Sequence, residues 1–374
     1  MKEIRLLQVV PSLNFGGVEQ GTIDIARAMS EKGHTSMVAS NGGLLVSKLT
    51  NYGINHFNLP VNTKNPVKIF LNINKIKKIV LNNKINIIHS RSRAPAWSSY
   101  YAGRNKIKLV STFHNVYGHN NYFKILYASG LAKADAIIAI SDYVKDKIIK
   151  IYNIPEKKIE VIYRGIDENE FDPENIQEES LIKIINKYNI TYDKKIILFP
   201  GRLTRWKGQI EFLNVLKQIE TKDFVCLFVG GTTNTRYSKS LHEKINRLGL
   251  GVNCKIVGHI SEMKYIYKLS NVVINASLRP EGFGRTIAEA MAMERPIVAY
   301  DHGAVSEQMK NYDKNFKIKL NESSHMARAI DQILNISQES IENIGKESRK
   351  FMKKKYTKKN MINQTIDFYK KLLK

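Results

Sequence analysis

Two glutamates, Glu281 and Glu289, sit in the stretch R-P-E-G-F-G-R-T-I-A-E-A-M-A-M of residues 279–293. Gly282, Phe283 and Gly284 follow the first carboxylate, and Ile287, Ala288 and Met291 then recur at helix spacing. A glycine loop that opens a helix lets a ligand approach the main chain and suits an anion such as phosphate. From Gly284 to Glu289 the helix climbs roughly 7–8 Å, at about 1.5 Å per residue. One carboxylate can then take hydroxyls beyond a diphosphate and the other hydroxyls behind it. The stretch suits a molecule with a charged middle and a polyol at each end, as a nucleotide sugar is. The plainer reading, glutamates favouring a helix start and its solvated face, has against it the glycines and the buried strand that precedes them.

Other residues could act on the same kind of ligand. Arg202 and Lys207 flank a loop, G-R-L-T-R-W-K-G, closed at both ends by Gly201 and Gly208. Their charges can converge on a diphosphate, although either alone would pass for a surface side chain in a lysine-rich protein. Gly16-Gly17 follows the first strand as a phosphate-type loop, but matches the G-x-G-x-x-G fingerprint poorly. His114 ends an apolar strand, where contact with a reacting sugar competes with an ordinary core histidine. Arg91, Arg93 and Trp97 fit an acceptor contact as well as they fit a local turn with a helix start at Pro95.

Positioning these groups requires strands that end beside them. Residues 4–10, 35–39, 54–59, 85–89, 109–113 and 134–140 read as strands separated by helical segments, with Ser141 a helix cap. The alternation pauses at 161–167, passes through a polar, acidic segment, and resumes at 195–199, 224–229, 255–257, 272–275 and 296–300. The pattern predicts an α/β protein of two doubly wound, Rossmann-like parallel-sheet domains facing across a cleft, with ligands at the carboxyl ends of the strands. The expected division is 1–166, a connection over 167–194, a second domain over 195–355, and a terminal helix over 356–374.

The bulk numbers agree with a globular protein: 374 residues, 43% hydrophobic and 25% charged. Cys226 and Cys254 lie in apolar strand contexts, as small core residues in a reducing compartment would. No run reaches the roughly 18 apolar residues of a membrane span, and the amino terminus lacks a secretory pattern, so a cytoplasmic location is expected. The net charge of +25 has two readings: compositional bias towards Lys, Asn and Ile, or attraction to polyanions, including an anionic membrane face near the Lys-rich segment 68–84. Nucleic acid is not expected, for no zinc-finger spacing, ribonucleoprotein motif or recognition helix is found.

Taken together, G-G-V-E (16–19), the T-F-H strand end (112–114), V-I-Y-R-G-I-D (161–167), G-R-L-T-R-W-K-G (201–208) and E-G-F-G-R-T-I-A-E-A (281–290) resemble a family-4 retaining glycosyltransferase of the GT-B fold. The resemblance runs over essentially the whole chain. It implies that Glu281 holds donor-sugar hydroxyls, that the main chain of Gly282, Phe283 and Gly284 cradles sugar and phosphate, and that Glu289 binds the ribose. Arg202 and Lys207 would neutralise the departing diphosphate, Gly16 and Gly17 would let it or the acceptor approach, and His114 would contact the transferring sugar. It further implies no metal and no cofactor beyond the nucleotide-diphosphate sugar, retention by same-face displacement, and a carboxyl-terminal helix returning to the first domain. The sequence offers no convincing D-x-D or histidine–carboxylate cluster. Asn115 departs from the acidic or small residue of many relatives. The implied acceptor is a saccharide or lipid-linked saccharide of lipopolysaccharide or envelope biosynthesis, at the inner face of the membrane. Two rival readings remain: a nucleotide-sugar epimerase on the same fold, with His114 as its proton-transfer group, and a non-enzymatic basic protein that binds polyanions.

Overall fold

The computed structural model describes residues 3–14, 16–117, 121–190, 193–231 and 235–374. The chain forms two compact units, one of residues up to Tyr163 together with Lys359–Lys374, the other of Arg164–Lys358.

Seven strands build the amino-terminal sheet: β1 (Arg5–Val9), β2 (Thr35–Ser40), β3 (Asn55–Asn58), β4 (Ile87–Ser90), β5 (Lys108–Phe113), β6 (Ala136–Ala139) and β7 (Ile159–Val161). They lie in the order β3-β2-β1-β4-β5-β6-β7, and every pairing is parallel. Strands covered by helices on both faces must be apolar nearly throughout, and β4 and β6 are buried at every residue. The helix Pro66–Asn82 starts where Pro66 supplies a first-turn proline and the Asn65 side chain accepts from the amides of Val67 and Lys68.

The last helix, Lys358–Leu372, places Met361, Ile366, Phe368 and Tyr369 in one core cluster with Ile4, Leu6, Ile25, Met29 and Ile87. Each large apolar side chain so buried contributes about 1.5–3 kcal/mol. The expected return of the terminal helix to the first domain is therefore observed, and the helix is integral to that unit's core.

Six strands form the second sheet: β8 (Lys195–Pro200), β9 (Phe224–Val229), β10 (Cys254–Gly258), β11 (Val272–Asn275), β12 (Ile297–Tyr300) and β13 (Lys317–Ile318). Their order is β10-β9-β8-β11-β12-β13, again all parallel. Cys226 and Cys254 face each other in register on β9 and β10 and are both free thiols. The polar segment between the sheets, read from sequence as a connection, contains a helix of its own, Glu178–Tyr188. In both sheets the order of strand addition reverses beside the first strand, between β1 and β4 and between β8 and β11. Such reversals open the crevice in which doubly wound sheets take ligands.

Candidate active site

At the reversal of the second sheet, the loops after β8 and β11 are stitched together. The β8 loop runs from Gly201 through a 3-10 turn, Arg205–Lys207, to Gly208, which starts the helix Gln209–Leu216. Gly208 has φ +82°, and a β-carbon there would stand 2.3 Å from the carbonyl oxygen of Ala276. Only glycine satisfies both the backbone conformation and the close approach. The Leu278 amide donates to the Trp206 carbonyl at 2.8 Å, which fixes the two loops to one another.

Lys207 and Glu281 meet in this junction. Lys207 is 9% and Glu281 8% exposed, and Nζ lies 2.8 Å from Oε1. The same oxygen accepts from Asn275 Nδ2 at 3.1 Å and from Ser277 Oγ at 2.5 Å. The Lys207 ammonium also lies 4.5 Å from the centroid of the Trp206 ring. A buried carboxylate is tolerable only when paired and hydrogen-bonded, and here these described bonds all converge on Oε1, leaving Oε2 outside the set. Arg202 is exposed, and its carbonyl accepts from Gln209 Nε2 at 3.0 Å.

The main chain around Glu281 is held from the other side. Its carbonyl accepts from the Ala304 amide at 3.0 Å, next to Gly303 at φ +65°. Gly284 opens the helix Arg285–Ala292. Its amide donates to Gln308 Oε1 at 2.9 Å and its carbonyl accepts from Gln308 Nε2 at 3.1 Å. The sequence-based expectation that this amide is open to phosphate is therefore corrected: a glutamine from another segment occupies it. Phe283 packs edge-on against Tyr356, ring centroids 5.6 Å apart.

One turn into the helix, Glu289 is 7% exposed. Its Oε1 accepts from Arg285 Nε at 2.6 Å and its Oε2 from the Tyr267 hydroxyl at 2.9 Å. Burial, together with the Glu289 charge, drives the Tyr267 phenol far above its ordinary range, so that it stays a donor. Each carboxylate oxygen has a second lone pair for a ligand hydroxyl. The sequence reading missed Tyr267, Asn275, Ser277, Arg285 and Gln308. The i,i+4 spacing of Arg285 and Glu289 was a signal for one of them; Asn275 and Ser277 stand within six residues of Glu281 in the same segment, while Tyr267 and Gln308 come from elements whose adjacency no local pattern encodes.

In the amino-terminal unit, Gly16 caps the helix Gly17–Glu31 with extended backbone. The Glu19 carboxylate folds over it, for a β-carbon on Gly16 would stand 2.3 Å from Glu19 Oε2. His114 follows the end of β5 and is half-buried. The Arg91, Arg93 and Trp97 group divides. Arg91 is 3% exposed and donates to Gln8 Oε1 at 2.9 Å, while Gln8 donates to the Thr22 carbonyl. It braces β1 against β4 from inside, and the expectation that it reaches an acceptor is corrected on that ground. Trp97 packs on Gly130, and its indole N–H donates to the Tyr127 carbonyl at 3.0 Å. Arg93, the first residue of the helix Arg93–Gly103, lies 4.2 Å over the Tyr117 ring.

Residues 15–170 match the model of Glycosyltransferase Family 4, and residues 182–351 that of Glycosyl transferases group 1. A glycosyltransferase crystal structure from Rickettsia africae is 36% identical with a TM-score of 0.91, and the match covers 100% of both chains. The HepE protein of Anabaena, solved with UDP and glucose, is 22% identical with a TM-score of 0.84 over 99% of this chain and 100% of its own, a likeness of fold. The capsular polysaccharide biosynthesis glycosyltransferase CapM of Staphylococcus aureus is 29% identical over 64% of this chain and 63% of its own. An uncharacterized glycosyltransferase of Methanocaldococcus jannaschii is 29% identical over 63% of this chain, and the match spans 59% of that relative's length.

Proposed function

Since this chain belongs to the glycosyltransferases, with a family 4 amino-terminal half and a group 1 carboxyl-terminal half, we propose that it moves a sugar from a nucleotide-diphosphate donor to a saccharide or lipid-linked saccharide acceptor, with retention and without a metal. Family membership sets aside the epimerase and the non-enzymatic reading. The observation that carries the proposal is the Lys207–Glu281 pair at the strand reversal of the second sheet.

In this reading the donor diphosphate competes with Glu281 for Lys207. A cation held by one carboxylate can be shared with a phosphate as the ligand displaces water, and Arg202 supplies a second charge from the solvent side. Glu281, released in part, offers Oε2 to sugar hydroxyls, while Asn275 and Ser277 keep Oε1 in place. Glu289 takes the ribose, its orientation set by Tyr267 and Arg285. Gly282 and Phe283 line the sugar and phosphate with main chain. Gly16, Gly17 and His114 belong to the same proposal as contacts of diphosphate and sugar, and Arg93 as an acceptor contact.

The bond from the anomeric carbon to the leaving phosphate breaks as the acceptor oxygen attacks from the same face. The acceptor's proton passes to the phosphate oxygen that leaves. Cationic side chains aimed at the developing diphosphate charge would supply the electrostatic stabilisation a metal gives elsewhere. The likeness to a glycosyltransferase of capsular polysaccharide biosynthesis supports a role in envelope polysaccharide synthesis.

Peripheral attachment to an anionic membrane is part of the reading. No helix among the described residues is long and apolar enough to cross a membrane. The helix Pro66–Asn82, however, exposes Val67, Phe70 and Leu71, and the helix Tyr122–Ala132 exposes Tyr122, Phe123 and Leu126. Lysines accompany both, as a surface resting on anionic headgroups requires.

A panel of nucleotide sugars, screened by thermal stabilisation and by hydrolysis, tests the proposal, since a ligand bound only to the folded state raises apparent stability. Stabilisation by one nucleotide class, and its loss in Lys207→Met, is expected. A panel in which no member acts on the wild-type chain would overturn it.

A further inference from the structure

Behind the donor-side loop, within the carboxyl-terminal unit, lies a cavity of about 790 Å³, a size typical of small-molecule sites. It opens between the helix Ser323–Asn335, the helix Gln338–Lys355 and the segment after Gln308. Phe316, Ile336, Ile344 and Phe351 give it an apolar lining. In its wall the Ser348 hydroxyl stands 2.8 Å from that of Tyr312 and donates to the Ile344 carbonyl at 2.5 Å. Three lysines, Lys350, Lys354 and Lys355, gather at one end, where the longer helix finishes. The lining also holds two acids, Glu347 and Asp313, the latter accepting from the Asn315 amide.

Two lines of contact run from this cavity to the donor-side loop. Gln308 lines the cavity and holds both the amide and the carbonyl of Gly284. Phe351 also lines it and packs edge-on against Tyr356 at 5.7 Å, which in turn packs against Phe283 at 5.6 Å. Both lines end on residues 283–284, between the two glutamates.

We propose that this cavity binds an anionic amphiphile, its apolar body between Phe316, Ile336 and Ile344 and its phosphate or carboxylate head on the lysine end, and that occupancy restrains the 282–288 segment through Gln308 and the Phe351–Tyr356–Phe283 stack. Binding is independent of the catalytic reading; its consequence for donor affinity rests on that reading. A ligand can shift a loop only by contacting it differently in two arrangements, and Gln308 and Phe351 are the residues able to transmit such a difference.

The test uses the full chain with dodecyl phosphate, dodecanoate and dodecyl maltoside, each below micelle formation and without donor. Titration calorimetry should give one site for the two anions, with the neutral maltoside weaker by roughly tenfold. The variant Ile336→Trp, which fills the cavity, should abolish binding. Lys350→Gln and Lys354→Gln should each weaken it about fivefold, the scale of one lysine at an anionic head. Hydrogen exchange over 282–288 should slow when dodecyl phosphate is added to the wild-type chain, and should slow less in Gln308→Ala, which keeps only the Phe351–Tyr356–Phe283 line. Equal binding by wild type and Ile336→Trp, or equal binding of the anions and the maltoside, would overturn the site. An unchanged exchange rate at saturation would overturn the coupling. Because none of these readouts uses turnover, failure of the transferase assignment would leave them intact.

Discussion

Lys207 Nζ stands 2.8 Å from Glu281 Oε1 across 74 residues of sequence, with both residues more than nine-tenths buried. The pair joins the loops after β8 and β11 at the reversal of the strand order. It is a costly arrangement to retain for stability alone, since buried ion pairs often do no better than apolar residues of the same volume. A cation and a carboxylate that can exchange partners with a ligand give the cost a purpose.

Glu281→Gln should separate chemistry from folding. The amide oxygen can still accept from Lys207, Asn275 and Ser277 but no longer compensates the Lys207 charge, so the stability loss should be about 3 kcal/mol, the low end for breaking a buried ion pair. Turnover should fall on the order of 10²–10³-fold, as when one preorganised electrostatic group is removed. Glu281→Ala would instead strand Lys207 and cost about 3–5 kcal/mol. Urea melts alongside initial rates check this, and Glu281→Gln with wild-type turnover would contradict the assigned role.

Gly208→Ala should be destabilising out of proportion to its size. The residue has φ +82° and its β-carbon would meet the Ala276 carbonyl at 2.3 Å, so strain and overlap add to about 2–4 kcal/mol. A fall in Tm of several degrees is expected by calorimetry. Gly249→Ala, also at positive φ but with nothing near its β-carbon, should cost about 1 kcal/mol.

His89 sets a pH dependence. It is wholly buried, with Nδ1 2.6 Å from the Tyr369 hydroxyl and Nε2 2.7 Å from Thr112 Oγ1. Burial, aided by the Arg91 charge, holds it well below the ordinary value of 6.5. The folded state therefore keeps it neutral while the unfolded chain takes up a proton below about pH 6.5. Its contribution is complete above that pH and is lost as pH falls, by up to about 1.4 kcal/mol per unit. His34 and His56 are shifted the same way, so the comparison is with His89→Gln, whose stability should be lower but should decline less steeply between pH 7 and 5.5. Parallel slopes for the two proteins would rule this out.

Phe70→Ser combined with Phe123→Ser should reduce sedimentation with anionic vesicles without altering the melting temperature, since the two side chains are 63% and 77% exposed. Vesicles of neutral lipid should bind either protein weakly. If the double variant sediments like the wild type, the two helices are not the membrane contact.

The strands were legible because residues buried on both faces of a parallel sheet leave a continuous apolar run, as in the core of β1, β6 and β11. Glycine spacing likewise marked both loops, since Gly208 has a backbone few other residues adopt. The two-residue β13 left no such signature, being too short for any pattern to register. Side-chain partnerships were illegible for a different reason. Arg91 and Lys207 are both basic residues beyond strand ends, yet one braces the sheet through Gln8 while the other joins Glu281. Residue type and spacing determined which groups stand at the carboxyl ends of strands. Only the packed fold decided that Gln308 would occupy the Gly284 amide and that Tyr267 would orient Glu289, because a hydrogen bond between distant segments depends on where the whole sheet carries them.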